Sequence, residues 1–257
     1  MLNLSELTDK VRALAIEAGD FIREERKKFH REAIEKKHAH DYVSYVDKES
    51  EKKIVTRLKE LLPEAGFIAE EGSGTLNDEQ YCWLVDPLDG TTNFIHDNAP
   101  YCVSIALRSK KELLLGVVYE ICRNECFWTY KGAPSYLNGN EIHVSAISNL
   151  DDSFIALGFP YATEEYKPMA NHLVNTLYGN VAGLRLMGAA AVELCYIAAG
   201  RFEARIEAFI GPWDIAAGTI ILQNAGGMIT DFKGGDSYSS GSQVLASNGR
   251  IHRDLLN

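Results

Sequence analysis

Residues 83–94 read WLVDPLDGTTNF, an apolar run that ends in two aspartates, a proline, a glycine and two threonines. A buried strand has to end in polar turn residues, but a turn needs only one aspartate and one glycine, not Asp86 and Asp89 together. Taken alone, such a loop is a turn followed by a capped helix. Its companions change the reading. Glu70 and Glu71 follow the short apolar run from Phe67, and Trp213–Asp214 opens a helical stretch far downstream. If Glu70, Asp86, Asp89 and Asp214 converge, each ionised pair at about 4 Å repels by about 4 kcal/mol at an effective dielectric of 20. A fold escapes that cost by protonating carboxylates or by binding cations, and an all-oxygen donor set suits magnesium rather than zinc. The pattern points to metal-assisted phosphoryl chemistry, in which two ions roughly 3.5–4 Å apart clamp the attacking and leaving oxygens.

Working outward from this stretch, a helix beginning after Gly90 would turn the amides of Gly90, Thr91 and Thr92 toward an anion. The Thr91 hydroxyl would orient a water, and Asp47 or Glu70 would accept its proton. Upstream, the periodicity predicts a helix over 4–29 and a second from about Asp47 to Pro63, with short strands at Phe67–Glu70 and Tyr81–Val85. From Tyr101 to Val144 the runs CVSIALRS, ELLLGVVYE, NECFWTYK and EIHVS read as an antiparallel meander. After about residue 150, strands and helices alternate: SFIALGF, a helix at 163–178, a short strand before Arg185, the helix AAAVELCYIAAG, the strand FEARIE, a helix from Trp213–Asp214, strands at Met228–Thr230 and Val244–Ala246, and a short last helix. No Gly/Ser/Pro-rich linker interrupts this order. One unit with two intimately packed subdomains is expected, an α+β half over about 1–148 and an α/β half over about 149–257.

Composition narrows the function classes. The 257 residues are 46% apolar and 24% charged, ordinary for an ordered globular chain, with no run of the eighteen or so apolar residues that a membrane span needs. The net charge of −10 opposes nonspecific nucleic-acid binding. An anionic substrate stays compatible if divalent cations neutralise several carboxylates. Cys82, Cys102, Cys122, Cys126 and Cys195 are odd in number and never arranged as CxxC, so they read as reduced core residues of a cytoplasmic protein. His38 and His40, beside Lys36 and Lys37, read as a solvated loop rather than a metal pair.

DPLDGTTNF at 86–94 resembles the DP(I/L)DGTxNF signature of the inositol monophosphatase family, and PWDIAAG at 212–218 resembles its second signature, WDxAAG. The similarity extends through 41–51, 68–72, 131–139, 185–200 and 224–235, nearly the whole chain. It implies a layered αβαβα sandwich and a magnesium-dependent, lithium-sensitive phosphomonoesterase that takes a small-molecule phosphate monoester, with two to three Mg2+ ions per subunit and a homodimeric assembly. By motif position, Glu70, Asp86 and the Leu88 carbonyl would hold one magnesium, and Asp86, Asp89 and Asp214 a second, with a weaker third on Glu70. Thr91 with Asp47 would activate the nucleophilic water, and the Gly90 and Thr91 amides would receive the phosphate. Gly188, Ala190 and Glu207 would read the substrate hydroxyls beside Asp89 and Asp214, while Glu71 would serve from behind Glu70. Lys36 stands where the family often carries a lysine.

A glutamate at 207 suits a polyol ring, because a carboxylate accepts hydroxyl hydrogen bonds and repels a second phosphate. The expected reaction is hydrolysis of inositol 1-phosphate by metal-activated water. Fructose 1,6-bisphosphate, NADP and 3′-phosphoadenosine 5′-phosphate are the rival substrates, and a non-catalytic regulatory protein is the rival class. Two departures stand out: Ser44 occupies a common threonine position, and GAAAVE replaces a GSAA-like run, which removes a hydroxyl beside the pocket.

Overall fold

The computed structural model describes residues 2–30, 34–38, 41–74, 79–110, 112–160, 163–240 and 243–256. Helix α1 (Leu4–Arg26) is followed by the hairpin β1 (Ile34–His38) and β2 (Asp41–Ser44), then α2 (Tyr45–Leu61). The strands β3 (Gly66–Ala69) and β4 (Tyr81–Asp89) lead into the short α3 (Thr91–Ile95). The meander comprises β5 (Cys102–Ser109), β6 (Leu113–Glu120), β7 (Glu125–Tyr130), β8 (Ser135–Leu137) and β9 (Asn140–Ile142). The remainder runs β10 (Phe154–Leu157), α4 (Thr163–Leu177), β11 (Gly183–Arg185), α5 (Ala190–Ala198), β12 (Ala204–Ala208), α6 (Pro212–Asn224), β13 (Met228–Thr230), β14 (Gln243–Ser247) and α7 (His252–Leu256).

Two sheets organise the chain: β3 to β9 in sequential order, and a five-stranded sheet ordered β11-β10-β12-β14-β13. The two-residue alternation of each strand sends its side chains into different cores. On β5, Val103, Ile105 and Leu107 pack with Val11, Ile22, Ile54 and Leu58 of α1 and α2. Cys102 and Ala106 of the same strand face the second core, with Leu194 of α5 and Ile221 of α6. Ala156, Val244 and Ala246 close that second core from the smaller sheet, whose opposite face sends Ile155, Leu157, Ile206 and Leu245 into a third. The layers are therefore helix, sheet, helix, sheet, helix, the αβαβα sandwich.

Several local expectations are corrected. Strand β4 does not end at Val85 but runs on to Asp89, because its partner β5 keeps pairing past that point. The segment around His38 is a strand paired with β2 rather than a solvated loop; His40 lies outside the described residues. The first helix stops at Arg26 instead of residue 29, and EIHVS is strand only over Asn140–Ile142, with β8 as a partner that the pattern did not reveal. Of the five free cysteines four are buried, but Cys122 is exposed, carried outward by the turn after β6. Among the described residues no helix is long and apolar enough to cross a membrane.

Fully buried Ile221 packs in the middle layer, which both sheets share. Ile221→Ala is expected to lower unfolding free energy by about 2–5 kcal/mol, measured by urea denaturation; a loss within experimental error would show that the layer collapses to fill the space.

Candidate active site

The spacing of Asp86 and Asp89 is set by an irregular strand. In regular pairing residues three apart point to opposite faces. Here Asp86 lies opposite Ser104 and Asp89 opposite Cys102, so β4 carries one extra residue between them. Such a bulge returns the second side chain to the face of the first. Asp86 Oδ1 accepts the Leu88 amide at 2.9 Å inside the bulge, and the Ser50 hydroxyl on α2 donates to the Pro87 carbonyl at 3.2 Å.

Three helix N-termini hold the remaining aspartates. Asp47 is the third residue of α2, where its Oδ2 accepts the Ser44 amide at 2.8 Å and the Ser44 hydroxyl at 2.7 Å, and Ser44 Oγ accepts the Val46 amide at 3.1 Å. Serine thus supplies the hydroxyl that a capping box needs. Asp214 occupies the same position on α6, its Oδ2 accepting the Gly211 amide at 2.8 Å. Asp89 Oδ2 accepts the Ala191 amide at the start of α5, 2.7 Å away. Glu70 follows β3, its amide donating to the Val85 carbonyl at 3.2 Å. Asp47 Oδ1 is left to accept the Thr91 hydroxyl at 2.9 Å, and that hydroxyl also lies 3.1 Å from the Leu88 carbonyl. Gly90 begins α3 with φ +91°, and a side chain there would run into the Pro100 carbonyl.

Glu70, Asp86, Leu88, Asp89, Gly90, Thr91, Gly188, Ala190, Glu207 and Asp214 all line one cavity of about 820 Å³. Asp47 stands behind it, reaching it through Thr91. Glu71 does not line it; its amide donates to the buried Glu51 carboxylate at 2.7 Å, which also takes the Ser73 amide and pins this loop. The side chains of Lys36 and Lys37 lie outside the described residues. A separate cavity of about 880 Å³ runs along α6, and on its rim Lys131 pairs with Glu112 at 2.6 Å.

Three residues on or under the cavity wall escaped the sequence reading: Glu51, Glu193 and Arg205. For Glu193 the available signal was a lone charge inside the apolar run AAAVELCYIAAG, and for Arg205 the short strand FEARIE, which buries both Glu203 and Arg205; Glu51, in KESEKK, gave no such signal. Ala189 caps α5 without a side-chain hydrogen bond. Glu193 Oε1 accepts the Met187 and Gly188 amides, which precede the cap, at 3.1 and 3.2 Å.

The electrostatics follow from burial and crowding. Burial first, then the charges of Glu70, Asp89 and Asp214, push the Asp86 carboxyl well above the ordinary range. Asp214 is pushed up by burial, then by Glu70 and Asp89. Burial raises Asp89 to about 7 against the pull of the Ala191 amide and Arg205. Burial likewise raises Asp47, despite its bonds from Ser44 and Thr91. Among the described residues no three such side chains form a closed cation cage. They are oxygen donors on rigid backbone whose ionised forms destabilise one another, a donor set that fits a hard divalent cation.

The inositol monophosphatase family model matches residues 3–257, and the chain belongs to that family, whose members are generally magnesium-dependent. It is 39% identical to Nus factor SuhB of Pasteurella multocida over 86% of this chain and 83% of that protein. The structure of extragenic suppressor protein suhB from Bartonella henselae superposes with a TM-score of 0.91 at 32% identity, covering 96% of each chain. The inositol monophosphatase from Anabaena gives 0.87 at 31% identity, covering 99% of this chain and 95% of that one.

Because Asp86, Asp89 and Asp214 are raised, the metal-free folded state binds more protons than the unfolded chain between about pH 4, the unfolded carboxylate value, and about pH 7, the Asp89 value. Stability without metal therefore falls as pH rises through this window. In EDTA the Tm is expected to be lower at pH 8 than at pH 5, and magnesium to restore more of it at pH 8. A Tm in EDTA that rises over this range would contradict the assignment.

Proposed function

We propose that this chain is a magnesium-dependent phosphomonoesterase that hydrolyses inositol 1-phosphate and related polyol monophosphates to the free polyol and phosphate. The observation that carries the reading is the Thr91 hydroxyl, held by Asp47 at 2.9 Å on the rim of the carboxylate-lined cavity. Glu70, Asp86, the Leu88 carbonyl, Asp89 and Asp214 would hold magnesium, which would supply positive charge to offset these carboxylates and meet the phosphate. Asp47 Oδ2 is committed to Ser44, so Oδ1 fixes the rotation of the Thr91 hydroxyl. The Thr91 oxygen would then orient the attacking water, whose proton passes to Asp47 or Glu70 as its oxygen bonds to phosphorus; the ester P–O bond breaks in line and the departing polyol oxygen takes a proton from solvent water. Gly90 begins α3 with no side-chain cap, leaving the Gly90 and Thr91 amides for phosphate oxygens. Gly188, Ala190 and Glu207 face the polyol.

Family membership supports the rest of the reading: two to three magnesium ions, lithium sensitivity, a homodimer, a cytoplasmic location, and subdomains over about 1–148 and 149–257. The name Nus factor borne by the Pasteurella relative favours a second reading, in which the fold presents a surface to an assembly partner. With a net charge of −10, such a partner would be met without generic nucleic-acid attraction.

Phosphate release by magnesium-loaded protein, with and without lithium, tests this over inositol 1-phosphate, fructose 1,6-bisphosphate, NADP and 3′-phosphoadenosine 5′-phosphate. Inositol 1-phosphate is expected to be preferred and lithium to inhibit. Preference for a bisphosphate would overturn the substrate and keep the reaction; no release from any would favour the assembly reading. Asp89→Asn and Asp214→Asn should each abolish release while the protein melts as cooperatively as wild type, since each removes one of several repelling charges. Near-normal turnover in either would remove that carboxylate from the site.

A further inference from the structure

Strand β12 places Ala204 and Ile206 in the third core and turns Arg205 and Glu207 to the other face, toward the cavity. Arg205 is 2% exposed. Its Nε donates to Glu193 Oε2 and its Nη2 to Glu207 Oε2, while Glu193 Oε1 holds the Met187 and Gly188 amides. One guanidinium therefore joins two walls of the cavity, the turn that carries Gly188 and the carboxylate of Glu207.

We propose that Arg205 is the positioning residue that sets polyol selectivity, fixing Glu207 and the Gly188 turn at the spacing of a neutral, hydroxyl-bearing ring. This rests on the phosphatase reading above. Two carboxylates and one guanidinium leave the wall a single negative charge, enough to accept a hydroxyl hydrogen bond and to disfavour a second phosphate. Glu207 Oε2 is committed to Arg205, and the side chain keeps 13% exposure on the cavity wall. As a stability device the triad is poor: buried ion pairs return little net free energy, and Arg205 Nη1 is buried with no hydrogen-bond partner among the described residues. Gly158 supplies an independent constraint. A Cβ there would stand 2.3 Å from the Glu207 carboxyl carbon, so the end of β10 is shaped around this carboxylate.

The test compares kcat/KM for inositol 1-phosphate with that for p-nitrophenyl phosphate, which lacks ring hydroxyls, in magnesium-loaded wild type, Arg205→Lys, the double variant Glu193→Gln with Arg205→Met, and Gly158→Ala. The double variant leaves no carboxylate stranded opposite a missing guanidinium at Glu193. Gly158→Ala keeps every charge and displaces the Glu207 carboxylate from its contact with Arg205. In the double variant and Gly158→Ala the preference for inositol 1-phosphate should fall about tenfold or more, carried by KM, the scale of one lost hydrogen bond to a charged group. Arg205→Lys, which keeps the charge and loses the fork, should fall between. Folded variants that keep the wild-type ratio would overturn the proposal and leave the phosphatase reading intact. Wild type that cleaves both esters with no preference for inositol would do the same, and wild type that cleaves neither would overturn both.

Discussion

Repulsion among carboxylates that the fold brings to one cavity governs how the surrounding elements are built. Burial shifts Asp86, Asp89 and Asp214 toward their neutral forms; the charges of Glu70, Asp89 and Asp214 push Asp86 further, those of Glu70 and Asp89 push Asp214, and that of Glu193 pushes Asp89. Side chains free to rotate would separate, so the arrangement has to be imposed by backbone. It is imposed by the bulge in β4, which turns two aspartates to one face, and by packed helices whose first turns cannot move without opening the cores on either side.

The same helices offset part of the repulsion. Asp47 and Asp214 lie in the first turns of α2 and α6, and Asp89 accepts an amide at the start of α5. Each N-terminus offers unpaired amides and the positive end of the helix dipole, worth about 0.3–1 kcal/mol for a neighbouring anion. That is smaller than the repulsion of several kcal/mol expected between close ionised pairs. The helices orient the carboxylates and leave a demand for positive charge, which is the property a cation site requires.

The opposite wall solves a different problem by similar means. Ala189 caps α5 without a side-chain hydrogen bond, and the Met187 and Gly188 amides ahead of it go to Glu193. A buried glutamate needs a counter-charge, which Arg205 supplies, and Arg205 in turn engages Glu207. The turn that carries Gly188 is thus tied through a chain of ionic contacts to Glu207 on the cavity wall.

The kind of chemistry and most of the elements were legible along the chain. Hydrophobic period located α1, α2, the meander and the alternating second half, and two signature motifs located the carboxylates, because both are local patterns along the chain. Only the tertiary structure decided what depends on pairing between distant segments. The strand register that carries β4 through to Asp89 comes from β5, the hairpin of β1 and β2 comes from mutual pairing rather than apolar period, and the 2.9 Å contact of Thr91 with Asp47 joins α3 to α2. Glu193 was visible as a charge in an apolar run and Arg205 as one of three charges on a short strand, but which partners they would find is a matter of which faces the two sheets turn toward each other, and no spacing along one strand contains that information.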